Sequence, residues 1–382
     1  MNPAALAWLQ LMKEKKRVAA ALAGILFAVV LMLIQLGFQD ALMTSAGVHF
    51  EALNCDLILA TPQYQYLLQP GTFPERRLYQ AAGDQRVQSV APLYLAGLPW
   101  KNPLTRVNRM ILVIGAPPRR GVFSLPEIDT QAAKLQDPDQ VLYDRKARTE
   151  YGPIAGMFDR GQRVETEIAN RRAVVAGIFS IGTTFGVDGT VIVSDDSFLR
   201  RLPLNPGAIM MGLVRLKPGA KPEEVRDSLA RILPNDVSVY TRAGFIQHEQ
   251  NYWSTNTPVG ILFKFGVAMG LFVGIIIVYQ ILYTDVMDHL AEYATLKAIG
   301  YSHGYLSTVV LFQGLLLSIL GFLPGALLSM LLYNVLAKAT FLPLDMTAER
   351  LLFVYALTAA MCIAASAFAL RPVRTVDPAE IL

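Results

Sequence analysis

Val18 to Phe38 runs without a single charged residue, and no other feature limits the possible folds of the chain so strongly. A helix needs about 20 apolar residues to cross roughly 30 Å of hydrocarbon, and this run supplies them. Val259 to Tyr283, charged only at Lys264, Leu306 to Ala337 and Leu351 to Leu370 are runs of the same kind. The composition agrees: 53% of the 382 residues are hydrophobic and 17% charged, against about a quarter charged in an ordinary soluble domain. A membrane protein is expected, and a disordered, collagen-like or coiled-coil chain is excluded. The 34 basic and 30 acidic residues, net +4, are spread without a block of like charge, so nucleic acid is not an expected partner. A cleaved leader is disfavoured, because the first run exceeds the roughly 7–15 apolar residues of a signal peptide and no A-x-A site closes it.

The runs divide the chain into a cytoplasmic N-terminal segment (1–17), a first span (18–38), an extracytoplasmic domain (39–257), a second span (258–284), an inner segment (285–304), a third span (305–337), a short outer loop (338–350), a fourth span (351–370) and a cytoplasmic tail (371–382). Lys13, Lys15, Lys16 and Arg17 before the first span, and Arg371 and Arg374 after the last, place both termini inside by the rule that cytoplasmic flanks retain positive charge. The short loops oppose this: the inner segment has Lys297 as its one Lys or Arg, whereas the outer loop region has Lys338 and Arg350. Ahead of the basic cluster, Ala4, Leu6, Trp8, Leu9, Leu11 and Met12 fit either a short helix lying on the membrane or a frayed tail. Pro324 beside Gly325 marks a natural kink in the third span.

Between the first two spans, β-branched and aromatic runs predict strands at 57–60, 89–95, 110–114, 173–179, 191–194 and 209–216. Helices are predicted at 74–82, 130–135, 196–202 and 222–233, and a tight turn at Val187-Asp188-Gly189-Thr190. The fold class is therefore four transmembrane helices with a large extracytoplasmic α+β domain inserted between helices 1 and 2. Chemistry is scarce in that domain. His49 and His248 are its only histidines and lack zinc-site spacing, and Cys55 has no cysteine near it, since Cys362 lies in the fourth span. No disulfide, metal, cofactor or catalytic set is expected. The pairs Arg76-Arg77, Arg119-Arg120, Arg171-Arg172 and Arg200-Arg201 are read first as solvated surface, and otherwise as a face for a partner protein or anionic lipid.

Gly266, Gly270 and Gly274 stand four apart in the second span, and Gly321 and Gly325 repeat the interval in the third. Small residues at that spacing open a groove for another helix, so these five are the expected packing positions. Lys264 lies close enough to a span end to reach the interface. In the inner segment Val286, Leu290, Tyr293 and Ala294 recur at helical spacing, while Asp285, Asp288, His289 and Glu292 make a polar face. The pattern predicts a short amphipathic helix closed by Gly300.

Glu292-Tyr293-Ala294-Thr295-Leu296-Lys297-Ala298-Ile299-Gly300 resembles the E-x-x-x-L-K-A-I-G signature of the FtsX/MacB-type permeases of ATP-binding-cassette (ABC) transporters. The whole chain is similar to the DevC branch of that family, in Pro3 to Leu11, Trp100-Lys101-Asn102-Pro103, Tyr252-Trp253 with Thr257-Pro258, Val278 to Val286 and Asp377-Pro378-Ala379-Glu380. The resemblance implies a non-catalytic inner-membrane permease that forms a homodimer and binds a separate ABC ATPase. It also implies a periplasmic membrane-fusion adaptor and, through it, an outer-membrane channel, with glycolipid or another hydrophobic molecule as cargo. The chain has no G-x-x-x-x-G-K-[ST] with which to cradle ATP phosphates. By the same resemblance Asp285, Asp288, His289, Leu290, Glu292, Tyr293, Leu296, Lys297 and Gly300 form the coupling helix seated on the ATPase, the acidic face docking on it and a glycine-lined dimer interface carrying the motion. A membrane-anchored enzyme and a membrane-anchored periplasmic ligand sensor are the rival readings. The first lacks a convergent acid, base or metal set, and the second lacks a cytoplasmic output domain after Leu370.

Overall fold

The computed structural model describes residues 3–184, 186–292, 295 and 299–370. They fall into two compact units: a helical unit of Met1–Ala41, Pro258–Thr340 and Leu344–Leu382, and a sheet unit of Leu42–Thr257 with Phe341–Pro343. Helix α1 (Pro3–Lys13) is followed at once by α2 (Lys15–Glu51), whose residues up to Ala41 belong to the helical unit.

The sheet unit contains, in chain order, β1 (Leu57–Ala60), β2 (Phe73–Pro74), α3 (Arg76–Ala82), β3 (Val87–Lys101), β4 (Asn108–Ala116), α4 (Pro126–Asp129), β5 (Gln140–Asp144), α5 (Ile154–Asp159), β6 (Glu165–Ile168), β7 (Arg171–Phe179), β8 (Thr190–Ser194), α6 (Asp195–Arg201), β9 (Ala208–Ile209), β10 (Met211–Leu216), α7 (Pro222–Ile232), β11 (Ser238–Thr241) and α8 (Arg242–Asn251). One nine-stranded sheet runs β11-β1-β10-β3-β4-β8-β5-β7-β6. Its pairs are antiparallel except β4 with β8 and β5 with β7. The long strand β3 is the pivot, pairing β10 through residues 87–93 and β4 through residues 94–101.

Side chains alternate across this sheet as the pleat requires. Leu57, Leu59, Ile111, Val113, Val191 and Val193 enter one core with Leu78 of α3, Phe198 of α6 and Leu229 of α7. Ile58, Ala60, Leu112, Ile114 and Ile192 enter another with Phe50 and Phe245. With both faces covered, β1 and β8 read as continuous buried runs. Helix ends follow local chemistry. Ser194 caps α6 by accepting from Ser197 N at 3.2 Å, with Asp195 and Asp196 in the first turn and Arg200 and Arg201 in the last, matching the helix dipole.

Several expectations are corrected. The strand expected at 209–216 breaks at Met210, whose sulfur accepts Leu95 N at 3.2 Å. The helix expected at 130–135 is instead α4 followed by a 3-10 turn at Ala132–Gln136. A pair of backbone hydrogen bonds joins Thr184 and Val187, at 2.9 and 3.3 Å, three residues before the predicted Val187–Thr190 turn. Two arginine pairs are not simply solvated: Arg77 is buried and grips Asp236 with Nε and Nη2 at 2.7–3.1 Å, and buried Arg201 donates to Pro138 O at 3.3 Å and Arg172 O at 2.8 Å.

The helical unit is completed by α9 (Pro258–Asp288), α10 (His303–Thr340) and α11 (Ala348–Ala369). Helices α2, α9, α10 and α11 are long and apolar enough to cross a membrane. Helix α10 runs through Pro324 without interruption. Thr347 caps α11 by accepting from Arg350 N at 3.3 Å. Cys362 is buried in this unit and Cys55 in the sheet unit, and both are free thiols.

Candidate coupling site

Near the C-terminal end of α9 the chain buries polar groups that a bundle of apolar helices would otherwise exclude. Asp285 is 8% exposed, His289 6% and Gln313 of α10 0%. Gln313 Nε2 donates to Gln10 Oε1 of α1 at 3.1 Å and to Asp285 Oδ2 at 3.4 Å. His289 Nδ1 lies 2.9 Å from Asp285 O and 3.7 Å from Asp285 Oδ1. Three helices are thereby tied through one amide side chain. Gln313 Oε1 has no hydrogen-bond partner among the described residues.

Charged pairs surround this junction. Arg17 Nη2 pairs with Asp288, and Lys13 Nζ stands 3.7 Å from Glu292 Oε1. The second pair is well exposed, and such pairs contribute about 0–1 kcal/mol. Val286 and Leu290 turn the other way and pack with Leu306, Val310 and Leu370.

The acidic face expected to be free for docking is therefore corrected in part. Asp285 and His289 are inside, while Asp288 and Glu292 are engaged by the basic residues of the chain's own N-terminus. Tyr293, Leu296 and Lys297 lie outside the described residues. Gly300 adopts φ +103°, in the left-handed region, and a Cβ there would meet nothing within 4 Å among the described residues.

Residues 18–232 match the model of the MacB-like periplasmic core domain, more than half of the chain, and residues 264–378 match that of the FtsX-like permease C-terminal region. The chain belongs to the MacB/FtsX-like permease family. Membership makes it a multi-pass inner-membrane permease component of the ABC type, a family that works with an ABC ATPase. Solved structures similar to the permease include the periplasmic region of MacB from Actinobacillus actinomycetemcomitans, at 10% identity over 53% of this chain and 95% of that one, TM-score 0.36. The extracellular domain of the noncanonic ABC-type transporter YknZ from Gram-positive bacteria is similar at 11% identity over 49% and 99%, TM-score 0.34. No curated protein matches the permease.

In the permease's helical unit each ladder glycine meets a side chain of the same chain. A Cβ at Gly266 would stand 2.5 Å from the Gln35 amide, at Gly270 3.1 Å from Met32 Cγ, at Gly321 2.6 Å from Ile25 Cγ2 and at Gly325 2.9 Å from Val29 Cγ1. At Gly274 it would meet the Met361 sulfur, and Ala28 Cβ at 3.1 Å. The glycines of α9 and α10 thus admit α2 of their own chain, with α11 reaching Gly274.

At the other end of the permease's α2, Arg350 Nη2 donates to Asp40 Oδ2 at 2.6 Å and its Nη1 to Tyr333 Oη at 3.2 Å and Asp345 O at 2.6 Å. Tyr333 in turn donates to Leu33 O. Gln10, Gln313, Tyr333 and Arg350 were not picked out as a site by sequence. The available signal was Gln10 sharing a helical face with Ala7 and Leu11, a polar group on an otherwise buried stripe.

Proposed function

We propose that this permease receives mechanical work from a separate ABC ATPase at residues 285–300 and passes it to its periplasmic-type domain, as one member of a DevC-like tripartite export assembly. The carrying observation is the buried junction of Asp285, Gln313 and Gln10, which ties the beginning of the inner segment to two other helices. A displacement applied to this segment is then shared by α1, α9 and α10 rather than absorbed by a loop. The docking face is narrowed on this reading to Glu292, with Asp288 reachable only when Arg17 lets go, and Lys297 of the family signature is carried over as its second charged position. Both termini lie in the cytoplasm on this reading, and ATP is hydrolysed on the partner chain. The homodimer is built from surfaces other than the glycine seam. A periplasmic membrane-fusion adaptor and an outer-membrane channel complete the path for a glycolipid or other hydrophobic cargo.

The test is co-purification of the cognate ATPase and its stimulated hydrolysis with the Glu292→Lys, Lys297→Glu pair. Loss of stimulation with the permease still in the membrane supports the assignment. Unchanged co-purification and export would overturn it.

A further inference from the structure

The sheet unit contains a cleft that the coupling reading does not use. Two cavities of about 300 and 540 Å³ share Asn54, Arg120, Gly121 and Arg215 in their walls and form one two-lobed depression. Gln88, Ser89 and Arg119 line the smaller lobe. Phe123, Pro126 and Asp129 line the more open one.

The backbone aims polar groups at this place. The β3–β10 register moves from Arg215↔Ser89 to Leu216↔Val87, so Gln88 is the extra residue of a β-bulge. A bulge breaks the alternation of the pleat and redirects side chains, and here it leaves Gln88 and Ser89 both exposed in succession. On the facing loop, Arg119 Nη2 is anchored to Val90 O at 2.7 Å, and Asn54 Nδ2 holds Gly121 O at 3.2 Å.

Positive charge is in excess there, three arginines standing against Asp129. Elsewhere in the unit Arg77, Arg86, Arg109, Arg145 and Arg172 each have a carboxylate within 4 Å, yet Arg119, Arg120 and Arg215 form no ion pair among the described residues. The one acid in the walls, Asp129, already accepts Gly121 N. Guanidinium groups approaching from a loop and from a strand, with neutral amide and hydroxyl donors beside them, suit an acceptor that offers oxygens in several directions. Val122 and Leu213 beneath the smaller lobe and Phe123 and Pro126 in the larger one supply an apolar floor.

We propose that the Arg120 and Arg215 cleft binds a phosphate group, carried by a lipid headgroup or present as the free anion. The proposal goes beyond the coupling reading and does not depend on it. It is tested by isothermal titration of the full chain in neutral detergent with dihexanoylphosphatidylglycerol in one arm and inorganic phosphate in the other. Saturable binding that falls at least about tenfold in Arg120→Ala, Arg215→Ala, and that weakens with added salt, is expected. A signal confined to the lipid arm assigns the headgroup, and one in both arms assigns the free anion's chemistry. Should the double variant fail to fold, Arg215→Gln alone carries the comparison. No saturable binding in either arm, or equal binding by wild type and variant, overturns the proposal. Either result leaves ATPase stimulation, measured separately, as an independent readout.

Discussion

At the scale of single residues, the most consequential groups are polar ones placed where water is scarce. Glu249 is 1% exposed and accepts from Tyr64 Oη at 2.6 Å and Leu67 N at 3.1 Å. Burial raises its carboxyl above the ordinary value of 4.5, outweighing those hydrogen bonds. Desolvation likewise raises Asp144 above 3.8. The folded domain therefore holds protons that the unfolded chain has released, and stability falls as pH rises from about 4 through the raised values. Asp84 acts oppositely: its Arg86 partner lowers it to about 2, so its contribution is present above 3.8 and is lost only in stronger acid. Glu249→Gln should flatten the decline above pH 4.5, read as urea midpoints across a pH series; an unchanged slope would remove Glu249 from the account. In the helical unit, Gln313→Leu strands the Asp285 carboxylate and should cost about 1–3 kcal/mol, seen as a lower thermal midpoint in detergent. Asp285→Asn combined with Gln313→Leu should cost less than the sum of the two changes.

At the scale of elements, the glycine seam yields graded outcomes. Gly274→Val meets the Met361 sulfur and Ala28 of two different helices, whereas the nearest atoms to the Cβ of Gly266→Ala all belong to the flexible Gln35 side chain. The first should destabilise the bundle by about 1–3 kcal/mol through overpacking and the second by clearly less, compared by detergent-solubilised melting curves. Equal effects would argue that the seam is not close-packed. Gly300→Ala meets no neighbour among the described residues but is forced to φ +103°, on the order of 1 kcal/mol by conformation alone.

The elements legible in advance were those with a long or strong pattern. The four apolar helices, the strand at 57–60 and the helix opening on Pro222 with Glu223 and Glu224 needed only local chemistry. The strands at Glu165–Ile168 and Ser238–Thr241 were missed because, unlike the equally short but wholly apolar Leu57–Ala60, they set only one or two apolar residues among polar ones. Helix α8 was missed because its apolar residues, Ala243, Phe245 and Ile246, do not form a stripe. The inner junction was half legible: the spacing of Asp285, Asp288, His289 and Glu292 announced a polar face, but nothing local says that α1 folds back to cover it. The glycine interval showed that a helix would approach, and could not show that the helix belonged to the same chain.

At the scale of the whole molecule, the sheet unit has its own two cores on the faces of one sheet. A fragment of residues 42–257 should fold by itself, giving a cooperative melt and dispersed amide resonances. Phe50, 1% exposed and edge-on to Phe245 at 5.0 Å, lies at the end of α2 and should matter as much as any strand residue. Phe50→Ala is expected to cost the fragment about 3–5 kcal/mol, and a change below 1 kcal/mol would place the core boundary later in the chain. The helical unit has a different character. Helix α10 is tied to α1 and α9 at Gln313 and to α2 and α11 by the Tyr333 and Arg350 bonds, while the length between is mostly apolar, its buried Ser318 and Ser329 bonded to the helix's own backbone. Sliding α10 by one turn, about 5.4 Å, would break every one of these interhelical bonds at once. A bundle fastened at both extremities holds α10 in axial register with its neighbours, as a bolt is held by two nuts.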